Sequence, residues 1–309
     1  MSELRQAALE YLSLRRSLGF SLEGDGRLLM NFIDHLERDG ATQVTTELAL
    51  SWATRTRAGV NPAHWNRRLA VVRIFAKHLH AIDGLTEIPP ADLMPHRYRR
   101  VAPHLYTAEQ IDALLRQASI LPHPLRALTY TTLIALLAVT GLRTGEACQL
   151  DNDDVDLAAG VLTIRAGKLN KAREVPLHPT TSQALDTYRR RRDQLRPGPA
   201  TPAFFVNTAG RRLNAHHVPV TFARLHTAAG IQPVPGGRAP RVHDLRHTFC
   251  LTTMLGWYRS NVDVRAQLPL LSTYLGHVDP ISTYWYLQAA PELMTLAAQR
   301  LDRYLDGAS

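Results

Sequence analysis

Between Arg126 and Arg143 the chain runs for sixteen residues, Ala127 to Leu142, without a single charge. A bilayer-spanning helix needs roughly 20 apolar residues, and this run is both shorter and interrupted by four threonines. It reads instead as a helix buried in a protein interior, so the rest of the chain has to supply the layers that cover it. At 309 residues, with 45% hydrophobic content, the chain is long enough to do so and divides more naturally into two domains than one. The two cysteines, Cys148 and Cys250, lie far apart and form no C-x-x-C pair. Neither a disulfide framework nor a thiolate metal site is expected, and a reducing, cytoplasmic setting fits best. Glu3 and Glu10 interrupt the N-terminus early, so no secretory signal is expected.

The front of the chain reads as a small helical unit. Leu4, Ala7, Ala8, Tyr11, Leu12 and Leu14 recur at helical spacing before Gly19, and Leu28, Leu29, Phe32, Ile33 and Leu36 do so before Gly40. Thr45 or Thr46 caps a third run, and Asn61-Pro62 opens a fourth containing Trp65, Leu69, Val72, Phe75, Ala76 and Leu79. That fourth helix carries Arg67, Arg68, Arg73 and Lys77, a cationic face that serves either as solvated surface or as a phosphate contact. A proline-rich basic stretch with Arg97, Arg99 and Arg100 then reads as a linker. The expected organisation is a helical domain over 1–95, a linker over 96–106 and a second domain over 107–309.

The second domain opens at Thr107-x-x-Gln110, a capping box. Helices dominate it except at Val161–Arg165 and Glu174–Leu177, two short β-prone runs that suggest a hairpin. The fold class expected is mainly α with a small β-sheet. A last apolar stripe, Leu293, Leu296, Ala297, Leu301, Tyr304 and Leu305, follows a helix start at Pro291-Glu292.

The net charge of +9 and a pI near 9.9 favour a polyanionic partner. Of 36 basic residues only Lys77, Lys168 and Lys171 are lysine, leaving 33 arginines. Two of the three lysines sit in the turn of the expected hairpin, where an ammonium can give up a proton and a guanidinium cannot. Three further segments carry chemistry. In Thr140-Gly141-Leu142-Arg143-Thr144-Gly145-Glu146 the buried helix breaks at a glycine and presents an arginine that can fork two phosphate oxygens. His243-Asp244-Leu245-Arg246-His247 follows, then Leu275-Gly276-His277, with Tyr286 nine residues beyond His277.

In this order and spacing, the segments resemble the conserved boxes of the tyrosine recombinases, the phage integrase family, of the Xer-like or transposon-encoded two-domain kind. The resemblance covers about Thr107 to Tyr286, and the helical front end resembles the family's core-DNA-binding domain more loosely. It implies a site-specific recombinase that cleaves and rejoins DNA through a 3′-phosphotyrosyl intermediate, with no metal and no cofactor. Arg143 and Arg246 match the two catalytic arginines, Lys168 the hairpin lysine, His243 and His277 the histidine positions, Tyr286 the nucleophile and Glu146 the acidic support of the first arginine. Duplex DNA with paired half-sites is the implied partner, with self-association to a tetramer on it and room for accessory recombinases or host factors. Arg67, Arg68, Arg73, Lys77, Arg97, Arg99, Arg100 and Lys171 are the expected phosphate contacts.

The chemistry suits those residue types. A phenol has a pKa of about 10 and needs neighbouring cations to acquire phenolate character. Arginines that bind non-bridging oxygens more strongly as charge builds lower the barrier without a metal. His243 serves as general base or orienter, and Lys168 as general acid towards the departing 5′ oxygen.

Two features depart from the family pattern. The stretch from Arg246 to His277 is long, either an inserted loop or a lengthened helix pair, and Tyr286-Leu287-Gln288 replaces the common Tyr-x-His. Two other classes are distinguishable: a DNA-binding regulator of the same fold that has lost its chemistry, and a zinc hydrolase using His243 and His247, which share a helix face at i and i+4.

Overall fold

The computed structural model describes residues 2–55, 62–94, 102–165, 172–198, 201–233, 238–276 and Thr295. The chain divides into two compact units, Met1–Arg100 and Val101–Ser309.

The first unit is built from four helices, α1 (Glu3–Ser17), α2 (Glu23–Arg38), α3 (Thr46–Thr54) and α4 (Pro62–Asp83). Thr45 caps α3 by accepting from the Leu48 N–H at 3.2 Å, satisfying one of the donors that a helix start leaves open. The apolar stripes read from the sequence meet in one core. Ala8, Tyr11 and Leu12 of α1, Leu29, Phe32, Ile33 and Leu36 of α2, Trp52 of α3, and Leu69, Val72 and Phe75 of α4 are all buried there. Leu14 is the exception in its stripe and is half exposed.

The second unit is organised around the uncharged run. It forms α6 (Pro124–Thr140), whose Leu133, Ile134, Leu136 and Leu137 are buried on more than one face, and α5 (Ala108–Ser119) and α8 (Pro179–Leu195) pack against it. Two of its threonines are tied to carbonyls: Thr129 donates to the Val206 carbonyl at 3.1 Å, and Thr140 donates back to the Leu136 carbonyl at 2.6 Å. α5 starts with the expected capping box between Thr107 and Gln110. α9 (Val218–Ala228) packs against α5.

The sheet is a three-stranded antiparallel meander, β1 (Val155–Asp156), β2 (Val161–Ile164) and β3 (Arg173–Pro176), in that order. The β2–β3 hairpin places Leu162 opposite Val175 and Ile164 opposite Arg173. Strand β1 is only two residues long, too short for alternation to reveal it in the sequence. The hairpin's turn, with Lys168 and Lys171, lies outside the described residues.

The long connection after Arg246 is a helix pair. α10 (Asp244–Arg259) and α11 (Val264–Leu275) share a core of Cys250, Leu251, Met254, Val264, Leu268 and Leu271. Between them α7 (Thr144–Gln149) and α11 bring the chemistry-bearing segments close. The last apolar stripe lies outside the described residues.

Candidate active site

α6 ends where Gly141 turns left-handed at φ 62°, its N–H capping the Leu137 carbonyl. A side chain cannot stand there, because a Cβ would meet the Phe249 ring at 2.6 Å and Leu275 at 3.1 Å. The turn delivers Arg143 as the residue that caps α7. Its own N–H donates to Glu146 Oε2 at 3.0 Å and its Nη1 to Glu146 Oε1 at 2.7 Å. The capping-box logic of a helix start, with an acid three residues in, thus also serves to aim a guanidinium.

Three arginines from three different elements converge on the last carbonyls of α11. Arg173, the first residue of β3, donates through Nε to the Tyr274 carbonyl at 2.8 Å. Arg246, in the first turn of α10, donates through Nη2 to the Leu275 carbonyl at 2.7 Å and through Nη1 to the Gly141 carbonyl at 2.8 Å. Arg143 donates through Nη2 to the Gly276 carbonyl at 2.8 Å. Carbonyls at a helix C-terminus lack intrahelical partners and carry the negative end of the helix dipole, so they attract cations. Gly276 closes α11 in a left-handed conformation at φ 66°, and the space of its missing Cβ is filled by the Arg173 guanidinium at 2.8 Å. That explains the glycine of Leu275-Gly276-His277: a larger residue there would push Arg173 off its partners.

Among the described residues Glu146 is the one carboxylate hydrogen-bonded to these arginines, with its side chain 5% exposed. Burial pushes its pKa up, but the forked contact from Arg173 and the N–H and guanidinium of Arg143 outweigh this and hold it below the usual carboxylate range. Among the described residues, the three guanidiniums on the α11 carbonyls and the one carboxylate bonded to them leave a surplus of two positive charges.

His243 stands at the N-cap of α10, and its ring lies 4.9 Å from that of His247. Burial first, then the Arg246 guanidinium, bring its pKa down to about 4, so it is a neutral hydrogen-bonding ring at pH 7. His247 is lowered to about 3 for the same leading reason, burial, with His243 next. The start of α10 is anchored by Asp244, fully buried, which accepts from Arg238 Nη2 at 2.6 Å and from the Arg241 N–H at 2.9 Å. The His243–His247 pair gathers no third ligand: no group of three or more His, Cys, Asp or Glu suited to a metal occurs among the described residues.

The structure thus brings together Arg143, Glu146, His243 and Arg246 of the expected set. Lys168, Lys171, His277, Tyr286, Arg97, Arg99 and Arg100 lie outside the described residues. On α4 the cations differ from one another. Lys77 is exposed, and Arg67 is exposed with a surface ion pair to Asp25 at 3.1 Å. Arg73 is tied by two bonds of 2.7 Å to the carbonyls of Pro89 and Pro90. Arg68 corrects its expectation. It is 9% exposed, donates to the Trp52 carbonyl at 2.7 Å and lies 3.8 Å over the Trp52 ring, so it is a core residue with no face for a phosphate.

Sequence reasoning did not single out Arg173. Its signal was weak but present: alternation along β3 puts it on the same face as buried Val175, an odd place for an arginine without a partner.

The chain matches the phage integrase family over residues 76–292. A putative integrase/recombinase, y4rB, of Sinorhizobium fredii is 43% identical to it over 309 residues, covering 98% of both chains. The tyrosine recombinase XerC of Azotobacter vinelandii is 30% identical over 285 residues, covering 91% of this chain and 89% of its own. Among solved structures, the Tn1549 transposon integrase in complex with transposon right end DNA aligns with a TM-score of 0.68 at 18% identity, covering 98% of this chain and 99% of that one. A lambda integrase dimer bound to a COC′ core site aligns with a TM-score of 0.61 at 18% identity, over 90% and 96% of the two chains.

Proposed function

Because the chain belongs to the phage integrase family of tyrosine recombinases, enzymes that cleave and rejoin DNA in site-specific recombination, we propose that it does this chemistry with Arg143, Lys168, His243, Arg246, His277 and Tyr286. The observation that carries the assignment is the cationic cluster on the α11 carbonyls: Arg143 and Arg246, presented from different helices, share the Leu275 carbonyl at 3.4 and 2.7 Å. A scissile phosphate bound to those two guanidiniums sits next to Gly276-His277, with the segment leading to Tyr286 beginning there.

Tyr286 Oη attacks phosphorus, and the bond to the 5′ oxygen breaks as Lys168 supplies a proton to it. The products are a 3′-phosphotyrosyl link and a free 5′ hydroxyl. The hydroxyl of a second strand then reverses the step, so bond energy is conserved and no nucleotide cofactor is consumed. The surplus of positive charge stabilises the phosphorane more than the ground-state phosphodiester, because charge accumulates on the non-bridging oxygens in the transition state. His243 enters neutral, accepts a hydrogen bond and can take the phenol proton once phosphate anion raises its basicity.

On this reading residues 1–95 serve as a core-DNA-binding domain, 96–106 as a basic linker, and 107–309 as the catalytic domain. DNA and self-association are partners on this reading, since similar proteins include a lambda integrase tetramer bound to a Holliday junction. Here the assembly is a tetramer on paired half-sites, with its final apolar stripe available for the subunit contact.

The test is a nicked suicide substrate that traps the covalent intermediate. Wild type accumulates a protein–DNA adduct, whereas Tyr286→Phe binds the half-site and yields none. Adduct formed by Tyr286→Phe would overturn the assignment.

A further inference from the structure

Arg173 contributes more to the cluster than packing. Glu146 accepts four hydrogen bonds, two at each oxygen. Oε1 takes Arg143 Nη1 at 2.7 Å and Arg173 Nη1 at 3.1 Å, and Oε2 takes the Arg143 N–H at 3.0 Å and Arg173 Nη2 at 2.7 Å. Arg173 therefore supplies half of the donors that hold this buried carboxylate in place. With its Nε on the Tyr274 carbonyl at 2.8 Å, it also pegs the carboxylate to the end of α11. The fork is rigid, and no lysine can make three such contacts in one plane.

The charge balance makes the same point. Arg143 and Glu146 alone would neutralise each other, and the phosphate would meet a dipole where it needs a cation. Arg173, 10% exposed and turned away from solvent, gives Glu146 a countercharge of its own. The charge of Arg143 is then left for the phosphate to feel.

We infer that Arg173 is a positioning residue for the strand-cleavage reaction: by satisfying Glu146 it fixes the orientation of the Arg143 guanidinium and preserves its charge for the scissile phosphate. The inference rests on the reading of Arg143 as a phosphate contact. Because Arg173 is the first residue of β3, on the strand leaving the turn that carries Lys168, the same side chain ties the base of that hairpin to the arginine site.

The experiment compares cleavage by wild type, Arg173→Met, Arg143→Ala and the double variant on two suicide substrates, one with a phosphodiester and one with a neutral methylphosphonate at the scissile position. Thermal unfolding and half-site binding establish that each variant is folded. On the phosphodiester, Arg173→Met is expected to be slower by roughly 10²-fold, the size of losing one oriented charge-stabilising donor. On the methylphosphonate, where a methyl replaces the oxygen that needs the charge, the deficit is expected to shrink to less than about tenfold. In the Arg143→Ala background, Arg173→Met is expected to add little, since the two act as a unit. An equal deficit on both substrates, or full additivity with Arg143→Ala, would mean that Arg173 only supports the fold and would overturn the inference. Should Arg143→Ala itself show the same deficit on both substrates, the reading of Arg143 fails instead. If Arg173→Met does not fold, Arg173→Lys keeps a cation in the same space without the fork and is read by the same two-substrate ratio, with the same outcomes for and against.

Discussion

Two buried arginines, Arg68 in the first unit and Arg246 in the second, are similarly hidden from solvent, at 9% and 2% exposure, yet their partners give them opposite uses. Arg68 lies on an aromatic face and against a carbonyl of its own domain, and burial lowers its pKa with no carboxylate to offset it. It is sealed into a core. Arg246 is held by the carbonyls of Gly141 and Leu275 at the ends of two helices, beside a second arginine aimed at the same place. Burial of a cation is thus uninformative about function. Convergence of several cations on helix C-terminal carbonyls, with fewer acids than bases, is the arrangement on which the proposed phosphate contact rests, because a phosphate offers stronger charge-assisted bonds than the carbonyls do.

The sharpest way to break this comparison is to truncate both kinds of arginine. Arg143→Ala and Arg246→Ala are each expected to lower the single-turnover cleavage rate by at least roughly 10²–10³-fold while half-site binding survives. Arg68→Ala is expected to leave the cleavage rate of DNA-bound, folded enzyme within about threefold of wild type. Its cost falls on stability, on the order of 2–4 kcal/mol from the lost hydrogen bond and ring contact, read by denaturant unfolding of the first unit. A large cleavage defect in folded Arg68→Ala would dissolve the distinction.

Smaller effects follow from the histidines. His243 and His247 have folded pKa values of about 4 and about 3 against an ordinary 6.5. The unfolded chain therefore binds more protons below pH 6.5, and the stability these rings contribute is full above pH 6.5 and lost as pH falls towards 4. His35 and His226, also lowered by burial, act in the same direction. The unfolding midpoint is expected to fall between pH 6.5 and 4.5, and His247→Asn is expected to flatten that slope. An unchanged slope would show that the ring is not desolvated in solution. DNA binding brings phosphate to the cluster and is expected to raise the pKa of His243, measurable by its imidazole NMR shifts.

The smallest expected effect separates two cations of α4, exposed Arg67 and half-buried Arg73. Neutralising Arg67 is expected to reduce the log–log salt slope of DNA binding by roughly 1, whereas Arg73→Ala, whose guanidinium is already tied to Pro89 and Pro90, is expected to leave it unchanged. A reduced slope for Arg73→Ala would put that residue on the DNA.

Much of this was legible in the sequence for a physical reason. Helical periodicity, a Thr107 capping box and a glycine break at Gly141 are local signals, and the fold obeys them. Arg143 was legible as the residue presented where the buried helix breaks at Gly141, whereas its catalytic role, and that of Glu146 as its support, were implied by the family resemblance. Arg68 was misplaced because it stands in α4 between exposed Arg67 and buried Leu69, and nothing local tells that its guanidinium meets Trp52, sixteen residues away. Arg173 went unnoticed because its partners, Glu146 and Tyr274, are 27 and 101 residues distant. The stretch after Arg246 was legible as either an inserted loop or a lengthened helix pair; it is the pair, with α10 packed on α6 as well as on α11.

The central claim is that this arginine cluster activates Tyr286, and the most direct measurement is to find where the DNA is attached. A nicked suicide substrate is cleaved by wild-type protein, the adduct is digested with protease, and the DNA-linked peptide is sequenced by mass spectrometry. The account predicts a 3′-phosphate joined to Tyr286, with Tyr284 unmodified, and no such peptide from Arg246→Ala. A phosphate on Tyr284 or any other residue, or full adduct yield without Arg246, would contradict it.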